Sequence, residues 1–143
     1  MSLGSALVRL NSALTILVDA HDGLQKMKWW RSLPIPFLFT KFDPSAGRQA
    51  LSVAHRLISD ANKMVNVSGD DDRLVAEYAL ALDAAVASLS KIFDELSRKA
   101  QGHAYGLKAY NQDWAEYDAH CARYTEIGQR LNPIVEKYVG RTS

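Results

Sequence analysis

Five aromatic residues fall at helical spacing and could line a ligand pocket inside a helical bundle. They are Tyr78, Tyr110, Trp114, Tyr117 and Tyr124. A buried phenol or indole needs a hydrogen-bond partner, so such a set can offer a small molecule both rings and polar groups. The same rings could instead pack in the core, with their hydroxyls reaching the surface. The sequence favours this core role, because seams between packed helices are often built from such residues.

A cluster of possible metal ligands lies at Asp113, Glu116 and His120, three and four residues apart on one side of a helix. Di-iron bundles use Glu-x-x-His pairs from two helices together with further carboxylates. This chain contains no Glu-x-x-His sequence. The cluster therefore predicts a solvated charged face, with no metal site and no cofactor.

The remaining reactive side chains have no catalytic companions in the sequence. His21 could be a haem ligand or a general base, but a single histidine on an apolar seam is more often a hydrogen-bonded core residue. Cys121 is the only cysteine, which excludes an intramolecular disulfide and indicates a small core residue. No Gly-rich phosphate loop, Gly-x-Ser-x-Gly or His-Glu-x-x-His sequence occurs. The sequence assigns no catalytic residue and disfavours an enzyme.

The stretch that positions most of these residues runs from Leu107 to Tyr138. Its apolar residues recur at alternating steps of three and four, and Gly128 fills the one gap in the series. This spacing puts the apolar side chains on one face of a helix. The rest of the chain is expected to supply the helices that cover this face.

Helical periodicity also appears in three earlier segments. The helices are expected at about residues 3–28, 44–66, 70–101 and 105–138. Asp43 as N-cap and Pro44 at the first helical position give a clear start to the second helix. Pro133 is expected to kink the fourth helix or to end its regular part.

These elements predict one all-α domain over residues 1–143, a four-helix bundle without strands. Short connections imply antiparallel neighbours, so up-down-up-down is the simplest order. The exception is the apolar linker at residues 29–42, where Pro34 and Pro36 favour extended backbone. At about 3.1 Å per residue the linker could reach roughly 43 Å, enough to make the first two helices parallel instead.

The linker also predicts an association surface. The third and fourth helices are expected to overhang the shorter first two, which would bare Phe93, Leu96, Leu107 and Tyr110 at the tip of their hairpin. Part of the linker should fold over this tip. The uncovered remainder would bind another protein chain, and its candidate residues are Trp29, Trp30, Leu33, Ile35, Phe37, Leu38 and Phe39.

The overall charge and the N-terminal sequence indicate the cellular location of the protein. Lys and Arg number 17 against 16 Asp and Glu, so the net charge of +1 gives no drive towards nucleic acid or an anionic membrane. The first eight residues carry no positive charge, unlike a signal peptide. No stretch is expected to reach the ~18 apolar residues of a spanning helix. A cytoplasmic protein is the resulting prediction.

The leading functional hypothesis is a non-catalytic protein–protein interaction module that self-associates into a homo-oligomer. One alternative is a bundle that binds a small ligand in an aromatic pocket between helices 3 and 4. Another is peripheral membrane attachment through residues 29–42, whose aromatic side chains have basic neighbours. The membrane alternative is the less favoured of the two, and nucleic acid is not an expected partner.

Overall fold

The computed structural model describes residues 3–31, 44–65 and 69–139. These residues form four helices and no strand. The helices are α1 (Leu3–Arg31), α2 (Pro44–Met64), α3 (Asp70–Ala100) and α4 (Leu107–Val139). The prediction of an all-α four-helix bundle is confirmed.

Helix α1 continues through Trp29, Trp30 and Arg31, which the sequence analysis placed in the linker. That boundary was wrong. All three residues are compatible with helical backbone, and the first helix-breaking residue after them is Pro34. The rest of the linker and the Asp43 cap lie outside the described residues, so both stay predictions.

Neighbouring helices run in opposite directions, as pairs of contacting residues show. The pairs are Arg48–Asp94 and His55–Asp83 between α2 and α3, Lys91–Asp113 and Tyr78–Tyr124 between α3 and α4, and His21–Tyr117 and Gly4–Tyr138 between α1 and α4. In each set the residue number rises along one helix as it falls along the other. Together the three pairings make α1 antiparallel to α2, the direction that an up-down-up-down order requires.

The core lies where the four apolar faces meet. Its largest fully buried side chains are Tyr117, Leu10, Leu17, Leu24, Leu51, Ile58, Leu82, Leu89, Ile92 and Val75. Burying one such aliphatic side chain contributes about 1.5–3 kcal/mol. Helix α2 approaches α3 closely at Gly47, because the ring of Phe93 occupies the space that a Cβ at residue 47 would need.

Of the four residues expected at the tip of the α3–α4 hairpin, Phe93, Leu96 and Tyr110 are buried, and Leu107 is 73% exposed. The expected cover of this tip by the linker lies outside the described residues and stays a prediction. The helix lengths remove the expected overhang of α4 beyond α1. His21 of α1 lies beside Tyr117 of α4. The number of residues from His21 to the end of α1 at Arg31 equals the number from Tyr117 back to the start of α4 at Leu107. The backbone of α1 therefore runs alongside the beginning of α4.

Helix α4 continues past Pro133 to Val139, close to the expected end at residue 138. The proline removes one helical hydrogen bond, that to the carbonyl of Gln129. Leu131 and Ile134, on either side of the proline, are both buried in the core. Their packing holds the helix across the missing bond.

The segment Leu3–Leu24 of α1 is long and apolar enough to cross a membrane, judged by length and composition alone. Its mean hydropathy reaches 1.3 over a window, so the expectation that no stretch is this apolar does not hold by that measure. Core helices and signal sequences pass the same test. In the bundle, Leu7, Leu10 and Leu17 of this segment are buried.

Candidate functional site

A groove of about 590 Å³ opens between α1 and α4. Tyr78 of α3 and Tyr124 of α4 form its aromatic wall, with ring centroids 6.3 Å apart in a T-shaped arrangement. The rest of the lining is Leu7, Val8, Leu10, Asn11, Ser12 and Leu14 from α1, and Thr125, Gly128, Gln129, Leu131, Asn132 and Val135 from α4. Pockets that hold small molecules measure about 300–1,000 Å³ and are lined largely by apolar and aromatic side chains.

The aromatic wall depends on Gly128, the residue that interrupts the apolar series of α4. A Cβ at this position would lie 3.3 Å from Cε1 of Tyr78. Without that atom, the Tyr78 ring packs directly against the backbone of α4, where the ring is almost completely buried. The gap in the sequence pattern therefore corresponds to a depression in the surface of α4.

Among the described residues that line the groove, none carries a formal charge. Its polar groups are amides and hydroxyls, those of Asn11, Ser12, Thr125, Gln129, Asn132 and the two tyrosines. Burial is the main cause that raises the pKa of Tyr78 and of Tyr124 above the ordinary phenol value. Both phenols are therefore neutral at physiological pH, and the whole lining is neutral with them.

Two residues with amide side chains, one on each helix, line this groove at about the same level. Helices α1 and α4 are antiparallel, and their register is set by His21 near Tyr117 and by Gly4 near Tyr138. This register puts Asn11 level with Gln129, and both residues belong to the lining. An amide both donates and accepts hydrogen bonds, so the pair can bind neutral polar groups of either kind.

A separate series of aromatic rings fills the other end of the α1–α4 interface. Neighbouring rings of Tyr105, Tyr110, Trp114 and Tyr117 lie with centroids 5.9, 6.2 and 5.5 Å apart, all close to perpendicular. Each of the four residues is buried. Perpendicular aromatic pairs of this kind stabilise a core beyond the area that they bury.

The structure thus divides the five residues proposed for an aromatic pocket. Tyr78 and Tyr124 line the groove, which opens between α1 and α4 instead of between α3 and α4. Tyr110, Trp114 and Tyr117 pack in the core with Tyr105, which the sequence analysis had not singled out. For these three residues, the core role favoured by the sequence agrees with the structure.

His21 is hydrogen-bonded on its seam, as expected of a single core histidine. Its Nδ1 lies 3.0 Å from the hydroxyl oxygen of Tyr117, and its ring meets that of Trp114 edge-on at 5.5 Å. The indole nitrogen Nε1 of Trp114 is buried without a hydrogen-bond partner. Burial raises the pKa of the half-buried Cys121 thiol despite its hydrogen bonds with Tyr117 and Tyr124, so the thiol is protonated at neutral pH.

Asp113 is a buried structural carboxylate and does not belong to a charged outer face. It accepts a hydrogen bond of 2.6 Å from the Tyr105 hydroxyl and lies 3.2 Å from the ammonium group of Lys91. Glu116, one turn along, is exposed. Within the described ranges, no group of three His, Cys, Asp or Glu side chains could hold a metal ion.

A second groove, between α2 and α3, has a similar volume of about 590 Å³ but a different chemistry. Arg48 pairs with Asp94 across it, and His55 Nδ1 lies 2.7 Å from Asp83. These side chains are about one-third or more exposed and pair with one another. Exposed pairs of this kind contribute only about 0–1 kcal/mol.

The predicted association surface falls on residues that the structure describes little or not at all. Trp29 and Trp30 have a helical backbone at the end of α1, but their side chains lie outside the description. Leu33, Ile35, Phe37, Leu38 and Phe39 lie wholly outside it. The association surface therefore stays a prediction.

Sequence reasoning missed the groove residues of α1 and most of those of α4. One signal could have found those of α4, since Gly128 interrupts an otherwise continuous apolar series. The chain matches no known protein family, no curated protein and no solved structure with which it was compared.

Proposed function

We propose that this protein binds a small, largely apolar molecule in the groove between α1 and α4. The supporting observation is the groove itself, with its volume of about 590 Å³, its apolar lining and its wall formed by Tyr78 and Tyr124. Aromatic rings, leucines and a few neutral polar groups are the lining typical of small-molecule sites. The amides and neutral hydroxyls of the lining can form hydrogen bonds with such a molecule, and no reaction is assigned to them.

The dimensions of the groove favour a small molecule over a helix of a partner protein. Its lining on α4 extends from Tyr124 to Val135, and on α1 from Leu7 to Leu14. At 1.5 Å per residue these stretches measure about 16 Å and about 10 Å. With a pitch of about 5.4 Å, a partner helix lying along this groove would contact it through only about two to three turns.

The proposal is tested by screening a fragment library, with charged and uncharged members, against ¹⁵N-labelled protein by NMR. We expect fragments that shift the amide resonances of groove residues such as Ser12, Thr125 and Gln129. Bound fragments should also raise the melting temperature, because a ligand that binds only the folded state stabilises it. Native mass spectrometry of the purified protein would reveal a molecule carried through purification.

A matched pair of variants locates the binding. Thr125 and Thr15 are both exposed helical threonines, but only Thr125 lines the groove. Thr125→Trp should fill the groove and abolish fragment binding, while Thr15→Trp should leave binding unchanged. The proposal is wrong if no fragment shifts the groove resonances, or if bound fragments remain bound to Thr125→Trp.

A further inference from the structure

The buried tyrosines of this bundle differ in what their hydroxyls contact. Tyr105 donates a hydrogen bond to Asp113, and the Tyr117 hydroxyl lies 3.0 Å from Nδ1 of His21. Tyr78 is only 8% exposed, yet its hydroxyl has no hydrogen-bond partner among the residues that the structure describes. A buried phenol normally has such a partner, so the free hydroxyl of Tyr78 requires an explanation.

The electrostatics of Tyr78 agree with an unpaired hydroxyl. Burial alone raises the pKa of this phenol. Hydrogen bonds to neighbouring side chains add to the effect of burial on the pKa of Tyr105, Tyr117 and Tyr124. The Tyr78 phenol is neutral at physiological pH, and it can therefore donate a hydrogen bond to an acceptor.

The position of the Tyr78 ring puts its hydroxyl at the floor of the groove between α1 and α4. Tyr78 belongs to α3, behind the gap between these two helices, and its side chain lines the groove. A Cβ at residue 128 would lie 3.3 Å from Cε1 and 3.9 Å from Cδ1, so the hydroxyl end of the ring passes closer to Gly128. Among the described buried and half-buried residues, only Nε1 of Trp114 is both unpaired and shielded from solvent. Solvent therefore reaches the Tyr78 hydroxyl, and the groove supplies the access.

The floor of the groove offers nothing to balance the charge of a ligand. None of the described lining residues carries a formal charge, and Leu7, Leu10 and Leu131 of the lining are buried. A ligand group that reaches the Tyr78 hydroxyl must leave water. This loss of hydration costs much more for a charged group than for a neutral one, unless an opposite charge or a full set of hydrogen bonds offsets it.

We propose that the groove binds an uncharged ligand whose carbonyl or ether oxygen accepts a hydrogen bond from the Tyr78 hydroxyl. This inference rests on the proposed function, since it specifies the ligand of the same groove. The apolar body of the ligand packs against the leucines of the floor and against the Tyr124 ring. The ligand oxygen replaces the water that the free hydroxyl otherwise contacts.

Three naphthalene probes test the acceptor and the charge separately. 2-Acetylnaphthalene is uncharged and has a carbonyl acceptor, and 2-isopropenylnaphthalene has nearly the same shape with a CH₂ group in place of the oxygen. Naphthalene-2-carboxylate has an acceptor and a negative charge. In ¹⁵N NMR titrations at neutral pH, we expect the ketone to bind about three- to tenfold more tightly than the alkene, the effect of one neutral hydrogen bond. We expect it to bind at least about tenfold more tightly than the carboxylate.

Two matched variants test the role of the hydroxyl. Tyr78→Phe removes the free hydroxyl and keeps the ring, while Tyr124→Phe removes a hydroxyl that is hydrogen-bonded to Cys121. We expect Tyr78→Phe to lose the preference for the ketone over the alkene, with its affinity for the alkene unchanged, and Tyr124→Phe to keep the preference. Without ligand, Tyr78→Phe should not lower the melting temperature, because no described residue loses a hydrogen bond.

The outcomes separate this inference from the proposed function. Equal affinity for the ketone and the alkene, or for the ketone and the carboxylate, overturns the inference. So does a preference for the ketone that persists in Tyr78→Phe. A melting temperature lowered by Tyr78→Phe also overturns it, since the hydroxyl would then be bonded within the protein. If the three probes fail while other fragments bind the groove and are lost in Thr125→Trp, the inference is wrong and the proposed function stands. If no fragment binds the groove, both are wrong.

Discussion

The hydroxyl of Tyr105 donates a hydrogen bond of 2.6 Å to the carboxylate of Asp113, and both residues are buried. Tyr105 lies in the turn between α3 and α4, while Asp113 lies on α4 and also contacts Lys91 of α3 at 3.2 Å. The carboxylate thus fastens the turn to both helices of the hairpin. Its hydrogen bond and its charge raise the pKa of Lys91.

Tyr105→Phe should destabilise the fold by about 1.5–3 kcal/mol, because a buried carboxylate loses a charge-assisted hydrogen bond. Urea denaturation measures the change. Tyr138→Phe is the matched control, since its hydroxyl donates to Asp71 at 3.2 Å on the exposed surface. The control should change stability by less than about 0.5 kcal/mol. Equal effects of the two variants would show that burial of Asp113 adds nothing to the bond.

Trp114→Ala should cost about 3–5 kcal/mol, the range for deleting a buried large aromatic side chain. Trp114→Phe should cost clearly less. The indole Nε1 has no hydrogen-bond partner, so phenylalanine loses ring area but no hydrogen bond. Thermal melts of the two variants give the comparison. A melt of Trp114→Ala that matches the wild type would mean that the residue faces solvent.

Gly47→Ala and Gly23→Ala should have opposite effects on stability. Alanine in place of a helical glycine stabilises by about 0.5–1 kcal/mol where there is space. Nothing lies within 4 Å of a Cβ at residue 23, whereas the buried ring of Phe93 fills that space at residue 47. Gly47→Ala should therefore destabilise by about 1–3 kcal/mol through overpacking. The denaturation midpoints of the two variants measure these changes in stability. Stabilisation by Gly47→Ala would show that α2 and α3 can move apart to accommodate the added methyl group.

Stability should fall steeply at alkaline pH. Burial is the main cause that raises the pKa of Tyr78, Tyr105, Tyr117 and Tyr124 above the ordinary 10.0 of the unfolded chain. The folded protein therefore keeps these protons when the unfolded chain begins to lose them. The free energy of unfolding contributed by these groups is complete below pH 10.0 and declines as the pH rises above it.

Denaturation at a series of pH values, with phenolate absorbance followed in parallel, checks this expectation. Phenolate from these four tyrosines should appear together with unfolding, as circular dichroism records it. Tyr117→Phe removes one of the four and should make the decline shallower. Ordinary titration of all six tyrosines in a folded protein would contradict the prediction.

The self-association proposed for residues 29–39 has its own test. Phe37, Leu38 and Phe39 are replaced together with serine, and the mass is measured by light scattering beside a thermal melt. A lower mass with the fold intact would support an association surface. Lower stability with unchanged mass would mean that these residues only cover the bundle. No change in either quantity would show that these residues neither associate nor cover the bundle.

The sequence alone determined the helices and part of the buried face of α4. Tyr110, Trp114, Tyr117 and Leu131 of its apolar series are buried, whereas Leu107, Val135 and Tyr138 of the same series are exposed. The apolar face was predictable because the period of the helix is a local property, but the series does not state where the cover ends. The end of α1 was placed too early because Trp29, Trp30 and Arg31 do not continue the apolar period of the helix, and Pro34 follows shortly after them.

Only the tertiary structure decided where the groove lies and which residues meet across helices. Periodicity states which face of a helix is apolar, but not which helix packs there or how closely. Gly47 brings α2 against the Phe93 ring, and Gly128 brings the Tyr78 ring against α4. The distance between helices follows from such contacts between residues far apart in the chain. The Tyr105–Asp113 bond likewise depends on how the turn folds back onto α4, which no spacing in the sequence encodes.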